Sequence, residues 1–407
     1  MDFEDTLEEA AFRDEVRAWL RANATPYDMR TVGELPLAQR LALGREWQAL
    51  KADRGYAKIT WPREFCGIDG TPMQQVIYQQ EEGRYQLPTE FFKVSVGMPL
   101  PVMRRFATPT QQRRYLRPGL RGEEIWCQLF SEPAAGSDLA GVRLRAVRDG
   151  GHWVLNGQKI WTSWGQLADF GVIVARSDPT KPKHKGLTYF FVAMKEPGIE
   201  VRPIVQASGG QEFCEVWFTD VRVADTQRLG EIDGGWKVAL ATLMEERFTV
   251  IDPSGGGPSL DTFIELCEQT EIETANGRGR AIDDADVRQR IAERYATEQG
   301  LRANYYRALT TLSKGGLPGP EGALSKLVIA SKLQQFSRYA LDLLGPVGLI
   351  AEPGARRLTH YHMGWLEAAG YRIAGGTDEI LRNTLAEQVL KLPGDVRVDK
   401  DVPFNQL

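Results

Sequence analysis

The sequence predicts an α+β protein laid out in three stretches, helical, then all-β, then helical. Three observations carry this. Apolar residues recur at helical spacing through roughly the first 120 residues. Short alternating segments, roughly 10–15 residues apart with no helical period between them, then run from about residue 124 to 223. Helical period returns after Gly234-Gly235-Trp236. A chain of 407 residues also exceeds one typical core, so two or three packed units are expected.

The first stretch, 1–123, opens on Leu7, Ala11, Phe12, Val16, Trp19 and Leu20, one face of a helix. Further helical patterns lie at Leu37–Arg54 and Pro72–Glu82, and another at 109–118 is closed by Pro118. In the second, 124–232, EIWCQLFS is aromatic-rich and strand-like. Alternating segments follow around Asp149-Gly150-Gly151 and Asn156-Gly157, then DFGVIVARSD, LTYFFVAMK, IEVRPIVQ and FCEVWFTDVRV, which together read as an antiparallel barrel or sandwich. In the third, 233–407, the clearest helices are Trp236–Val250, Ala285–Leu312, Gly322–Leu344 and Thr377–Leu392. Ile251–Asp284 reads as an irregular insertion.

Composition excludes several classes. The formal charge of −4 gives no reason to bind nucleic acid or an anionic membrane. No apolar run approaches the roughly 18–20 residues that cross a bilayer, so no membrane insertion is expected. The start is acidic and amphipathic, unlike a signal peptide, and a cytoplasmic chain is expected. Cys66, Cys127, Cys214 and Cys267 are scattered, and the four histidines lack ligand spacing, so no metal site is read. There is no G-x-S-x-G elbow, no phosphate loop ending in Lys-Ser/Thr, and no G-x-G-x-x-G after a strand. Gly255-Gly256-Gly257 reads as a helix interruption that opens a pocket.

Two segments carry chemistry. In SEPAAGSDLAG (131–141), Ser131 ends a strand, Ala134–Gly136 are small, and Ser137-Asp138 enter the next element. Such a surface lets a flat ligand and phosphates approach the backbone, though each residue alone reads as turn. In NGQKIWTSWG (156–165), Trp161 stands beside the hydroxyls of Thr162 and Ser163, an aromatic to flank a ring system with groups for its polar edge.

At these residues the chain resembles the acyl-CoA dehydrogenase family. WPREFCGIDGTP (61–72), QLFSEPAAGSDLAG, FCEVWFTDVRVADTQRLGEIDGGW and IAGGTDEILRNTLAEQVLKLP are similar, in order, to segments of that family. The resemblance implies an N-terminal all-α domain, a middle antiparallel β-barrel domain and a C-terminal four-helix bundle. It implies non-covalent FAD, an acyl-CoA substrate, an electron-transferring flavoprotein as acceptor, and assembly as a homo-oligomer or with a related chain. Carried over, the flavin site comprises Gln128, Phe130 and Ser131 on one strand, Trp161, Thr162 and Ser163 flanking the ring, and Gly345, Thr377 and Glu379. Arg278 stands for the pyrophosphate contact, without the Thr-Phe that follows it in the family. Pro346, Val347 and Asp342 are further departures.

The family's chemistry needs a carboxylate against an acidic α C–H and donors at the thioester oxygen. Where many members carry that glutamate, this chain has Gly375 in IAGGT. A second branch places it on the helix after the β-domain, immediately before an arginine, and LMEERF puts Glu246 next to Arg247 there. Adjacent glutamates point about 100° apart on a helix, so Glu245 and Glu246 cannot both serve. Leu240, Leu243 and Met244 make the surroundings apolar, and Glu246 is assigned as the base. Gly375 supplies a main-chain N–H to the thioester oxygen, while Ser137, Arg247 and Gly376 are assigned to the substrate. Two alternatives remain open: a partner subunit that has lost contacts, or oxidase or monooxygenase chemistry on the same fold.

Overall fold

The computed structural model describes residues 5–249, 257–274, 277–316, 319, 320, 322–350, 356–394, 396 and 398–407. The chain divides into two compact units. One comprises Met1–Gln206, Gly210–Glu246 and Val396–Leu407; the other comprises Ala207–Gly209 and Arg247–Asp395.

The first unit opens with helices α1 (Leu7–Asn23), α2 (Met29–Val32), α3 (Leu37–Asp53), α4 (Pro72–Glu82), α5 (Lys93–Gly97), α6 (Pro99–Phe106) and α7 (Pro109–Leu120). Three of them begin with a threonine capping box: Thr6 with Glu9, Thr71 with Gln74, and Thr108 with Gln111. Phe12, Val16 and Leu20 of α1 pack with Trp47, Tyr56, Ile77 and Tyr78. Pro118 does not close α7 but lies inside its last turn, and the helix runs on to Leu120. Near a helix end a proline removes only one N–H from the ladder, which the remaining turn survives.

The strands are β1 (Trp126–Leu129), β2 (Arg145–Asp149), β3 (His152–Ser163), β4 (Phe170–Arg176), β5 (Leu187–Ala193), β6 (Ile199–Pro203) and β7 (Phe213–Ala224). They form one sheet in the order β1-β4-β2-β3-β7-β6, with β5 also paired to β4. Strands β2 and β3, β3 and β7, β4 and β5, and β6 and β7 pair antiparallel, whereas β1 and Arg145 of β2 run parallel to β4. β4 and β5 are apolar along almost their whole length because both faces are covered. Val172 and Val174 join Leu100, Met103, Leu116 and Leu120 of the helices. Ile173 and Ala175 join Leu155, Val216, Phe218 and Val221 in a second cluster formed by the sheet.

Helix α8 (Gly235–Thr249) follows the sheet, and its buried Val238 and Ala239 join the first unit's core. The second unit contains α9 (Leu260–Gln269), a hairpin of β8 (Glu271–Thr274) and β9 (Gly277–Arg280), then α10 (Ala285–Ser313), α11 (Gly322–Leu343), α12 (Arg356–Tyr371) and α13 (Asp378–Thr384). The segment expected to be irregular therefore carries a helix and a hairpin in its described part. Ser259 caps α9, and Phe263, Leu266 and Cys267 bury against Phe336, Ala340 and Tyr361. The core period of α9 is only ten residues long and flanked by turn-formers, too short a signal beside its surroundings. Among the described residues no helix is long and apolar enough to cross a membrane.

Candidate active site

In the first unit the two informative segments come together. Gln128 lies on β1, and Phe130 beyond its end is buried edge-on to Tyr189, with ring centroids 5.8 Å apart. Ser131 follows, half-buried, and its carbonyl accepts from Ile160 N at 2.9 Å, which places it against β3 one step before Trp161. From Glu132 the chain makes a tight turn closed by reciprocal Glu132–Ala135 backbone bonds, both 3.0 Å. Gly136 and Ser137 are exposed beyond it, and a side chain added at Gly136 would meet nothing within 4 Å.

A bulge shapes the other half. Lys159 pairs with Val216 and Thr162 with Cys214, so β3 carries one more residue than β7 over this stretch. The surplus falls on Ile160-Trp161, and Trp161 adopts φ +60. Left-handed backbone in a bulky residue is strained, and such strain gathers at functional sites. Its result is that Trp161 turns outward, 56% exposed, while Thr162 turns in and Ser163 is half-buried. The hydroxyl of Thr162 is buried without a hydrogen-bond partner among the described residues. An orphaned hydroxyl beside an outward-facing indole, next to a strand end with open space beyond Gly136, fits a planar ligand with a polar edge.

The turn and the bulge are held by a buried charge cluster. Lys159 is wholly buried; its Nζ donates to Glu132 Oε1 at 2.8 Å, Val174 O at 2.9 Å and Phe130 O at 3.0 Å. Burial holds the Lys159 pKa below its ordinary value, opposed by the Glu132 carboxylate. The Glu132 carboxylate also accepts from Arg143 N at 2.6 Å and Leu144 N at 3.0 Å, which staples the ends of the 132–144 excursion together. Arg176 donates to Ala140 O at 2.5 Å, and burial lowers its pKa to about 10. Sequence reasoning missed all three residues. The signal was present for Lys159, which is in phase with the inward Trp153 and Leu155.

Glu246 and Arg247 belong to α8, but their side chains lie outside the described residues. Glu246 stands four residues after Thr242 and seven after Ala239, both buried, with Thr242 Oγ1 bonded to Tyr189 Oη at 3.0 Å. The residues expected to make this helix apolar behave differently: Leu243 is partly buried, whereas Leu240 and Met244 are exposed.

In the second unit Gly375 and Gly376 adopt φ +66 and +95, a double left-handed turn that favours glycine at both positions. Lys326 Nζ donates to Gly376 O at 2.5 Å, and Arg372 grips the buried Asp378 at 2.7 Å while also donating to Gln334. Thr377 caps α13 by accepting from Ile380 N, and Glu379 is exposed in its first turn. Gly345 has φ +57 and open space at its Cβ position. Arg278 lies on the β8–β9 hairpin, paired with Glu271 at 3.1 Å and largely exposed. Among the described residues no group of His, Cys, Asp and Glu is placed to hold a metal ion.

Family models match along the chain: acyl-CoA dehydrogenase N-terminal domain over residues 6–123, middle domain over 127–221 and C-terminal domain over 233–390. Acyl-CoA dehydrogenase IpdE1 of Mycobacterium tuberculosis is 34% identical over 400 residues, which span 95% of this chain and 98% of that protein. The ChsE4-ChsE5 complex from Mycobacterium tuberculosis superposes with a TM-score of 0.78 at 26% identity, covering 97% of this chain and 100% of that one. The Tcur3481-Tcur3483 steroid ACAD gives 0.77 at 26% identity, with the same two coverages. With all three domain models in order and a relative matched over nearly its full length, the chain belongs to the acyl-CoA dehydrogenase family, whose members are flavin-using oxidoreductases.

Proposed function

We propose that the chain is an FAD-dependent dehydrogenase that desaturates an acyl-CoA between its α and β carbons, with Glu246 as the base. The observation that carries this is the strained bulge. It turns Trp161 out and leaves the Thr162 hydroxyl without a partner, beside the Ser131 strand end that the family's signature segment supplies. Bound FAD would supply the acceptor for the β-hydride. Gln128, Phe130, Ser131, Trp161, Thr162 and Ser163 would hold it on the first unit. The family resemblance assigns Gly345, Thr377, Glu379 and Arg278 to it as well, from the same or a neighbouring subunit, Arg278 exchanging its exposed partner Glu271 for a phosphate. Glu246 takes the α-proton, Arg247 and Ser137 hold the CoA portion, and Gly375 with Gly376 offers bare main chain to the thioester oxygen. A glutamate at position 375 would have to adopt a left-handed conformation, which favours a base placed elsewhere.

Glu246→Gln should leave the protein yellow while slowing anaerobic bleaching by acyl-CoA at least ~100-fold, the scale of losing a general base. Bleaching at the wild-type rate would defeat the assignment. Slow reoxidation by air supports an electron-transferring flavoprotein as acceptor; fast reoxidation favours an oxidase or monooxygenase. The resemblance to a two-chain complex and to a steroid ACAD favours a bulky acyl group and supports a second reading, in which a related chain completes the assembly. Under that reading the chain purified alone is colourless and turns yellow only with its partner.

A further inference from the structure

The segment Val396–Leu407 follows the second unit in sequence but packs within the first. Its contacts converge on the connection between β4 and β5. Phe404 N donates to Lys181 O at 2.9 Å, Asn405 N donates to Pro179 O at 2.9 Å, and Pro403 bridges to Pro182. Two side chains reach further. The Phe404 ring lies 3.9 Å from the Arg176 guanidinium carbon, and Asp399 pairs with Lys183 at 3.1 Å.

Both of these cations also hold the 131–141 segment. Arg176 donates to Ala140 O at 2.5 Å and to Val142 O at 3.4 Å, and Lys183 pairs with Asp138, the neighbour of Ser137, at 3.1 Å. Arg176 also donates to Lys183 O at 2.8 Å, so the two links share a frame. The connection further binds the approach to α8, through Ser177 and Lys181 to Asp233 at 2.5 Å each. The terminal segment thus reaches Arg176 and Lys183, which in turn hold Ala140 and Asp138, the latter next to Ser137.

The two links differ in strength. Lys183 and Asp138 are partly open to solvent, where an ion pair contributes little. Arg176 is buried against neutral carbonyls, where a ring face replaces lost water and is felt most. We propose that Phe404 is a positioning residue, aided by Asp399, that fixes the Asp138–Gly141 turn next to Ser137 through Arg176, which holds Ala140 O, and so sets how tightly this turn holds its ligand. That the ligand is an acyl-CoA rests on the functional reading above; the coupling of Phe404 to the turn does not.

Two readouts test it. Amide hydrogen exchange over residues 133–144 should quicken about five- to thirtyfold in Phe404→Ala, the range one such cation–ring contact spans. A chain ending after Leu392 should match it, and Phe404→Tyr should stay protected. In turnover, KM for acyl-CoA should rise by the same factor in Phe404→Ala with kcat nearly unchanged, and return in Phe404→Tyr. Unchanged exchange and KM in Phe404→Ala overturn the inference, as does a fall in kcat with KM unmoved. If the shortened chain does not fold, the two Phe404 variants decide. Quickened exchange in a protein whose flavin no acyl-CoA bleaches leaves the coupling standing and defeats the functional reading instead.

Discussion

Lys159 carries a charge that water never reaches, and its surroundings explain how it is tolerated. Three acceptors meet one ammonium, and the carboxylate among them is itself satisfied by two backbone N–H groups. Removing one partner of a buried pair costs far more than the pair contributes in net terms. Lys159→Met should therefore destabilise the protein by about 3–5 kcal/mol, and pairing it with Glu132→Gln should cost less than the sum. Urea unfolding of the two single variants and the double variant checks this; additive losses would show that the two charges do not depend on each other. At this scale the sequence was partly legible. The hydroxyls and tryptophan of 156–165 stood out by residue type, whereas Lys159, Glu132 and Arg176 are types normally found in water, and their burial follows from neighbours brought by other strands. Glu246 and Arg247 were legible from their place in a family pattern.

Strands and helices were legible where their periods are strong. The apolar runs of β4 and β5 and the alternation of β3 and β7 are visible in composition alone, because a curled sheet with helices on one face imposes them. The bulge was not, because an extra residue changes pairing without changing residue type. β7 has its own bulge: Leu155 pairs with Val221 and Gly157 with Phe218, so the surplus lies on β7, where Asp220 adopts φ +51 and exchanges bonds with Asn156. The two surpluses offset each other along the ladder. The strain at Trp161 gives a test at this level. Trp161→Gly removes a left-handed bulky residue, which costs ~1–3 kcal/mol where it occurs, and gives up the edge-on ring contact to Phe213 of a side chain that is more than half exposed. The flavin-free variant should be no less stable than wild type in urea, while its affinity for FAD falls about tenfold, the scale of one lost aromatic contact. A variant that binds FAD as tightly as wild type would remove Trp161 from the site.

For the molecule as a whole, the order helical, then β, then helical was readable from periodicity. The helix and hairpin after α8 were not, since each is short and flanked by glycines and charged residues. Nor was the role of Val396–Leu407, a polar stretch with no period whose partners lie more than two hundred residues earlier. The stability of the β-domain should vary with pH in a defined window. Arg228, helped by Trp153 Nε1, holds the Asp225 carboxyl at about 2, below its ordinary value of 3.8, and so fastens the end of β7 to β3. A depressed carboxyl stabilises the fold above its unfolded pKa, and that contribution is lost as pH falls through the folded one. The gap in urea midpoint between wild type and Asp225→Asn should thus be constant above about pH 5 and close between about pH 4 and 2. A gap independent of pH would show that the carboxyl is not held down. The path of the chain has one more consequence. During synthesis the first unit's sheet emerges early, but the piece that covers Arg176 leaves the ribosome only after all of Arg247–Asp395 has been made. Until then the guanidinium lacks its ring, and the nascent first unit waits on the second to be finished.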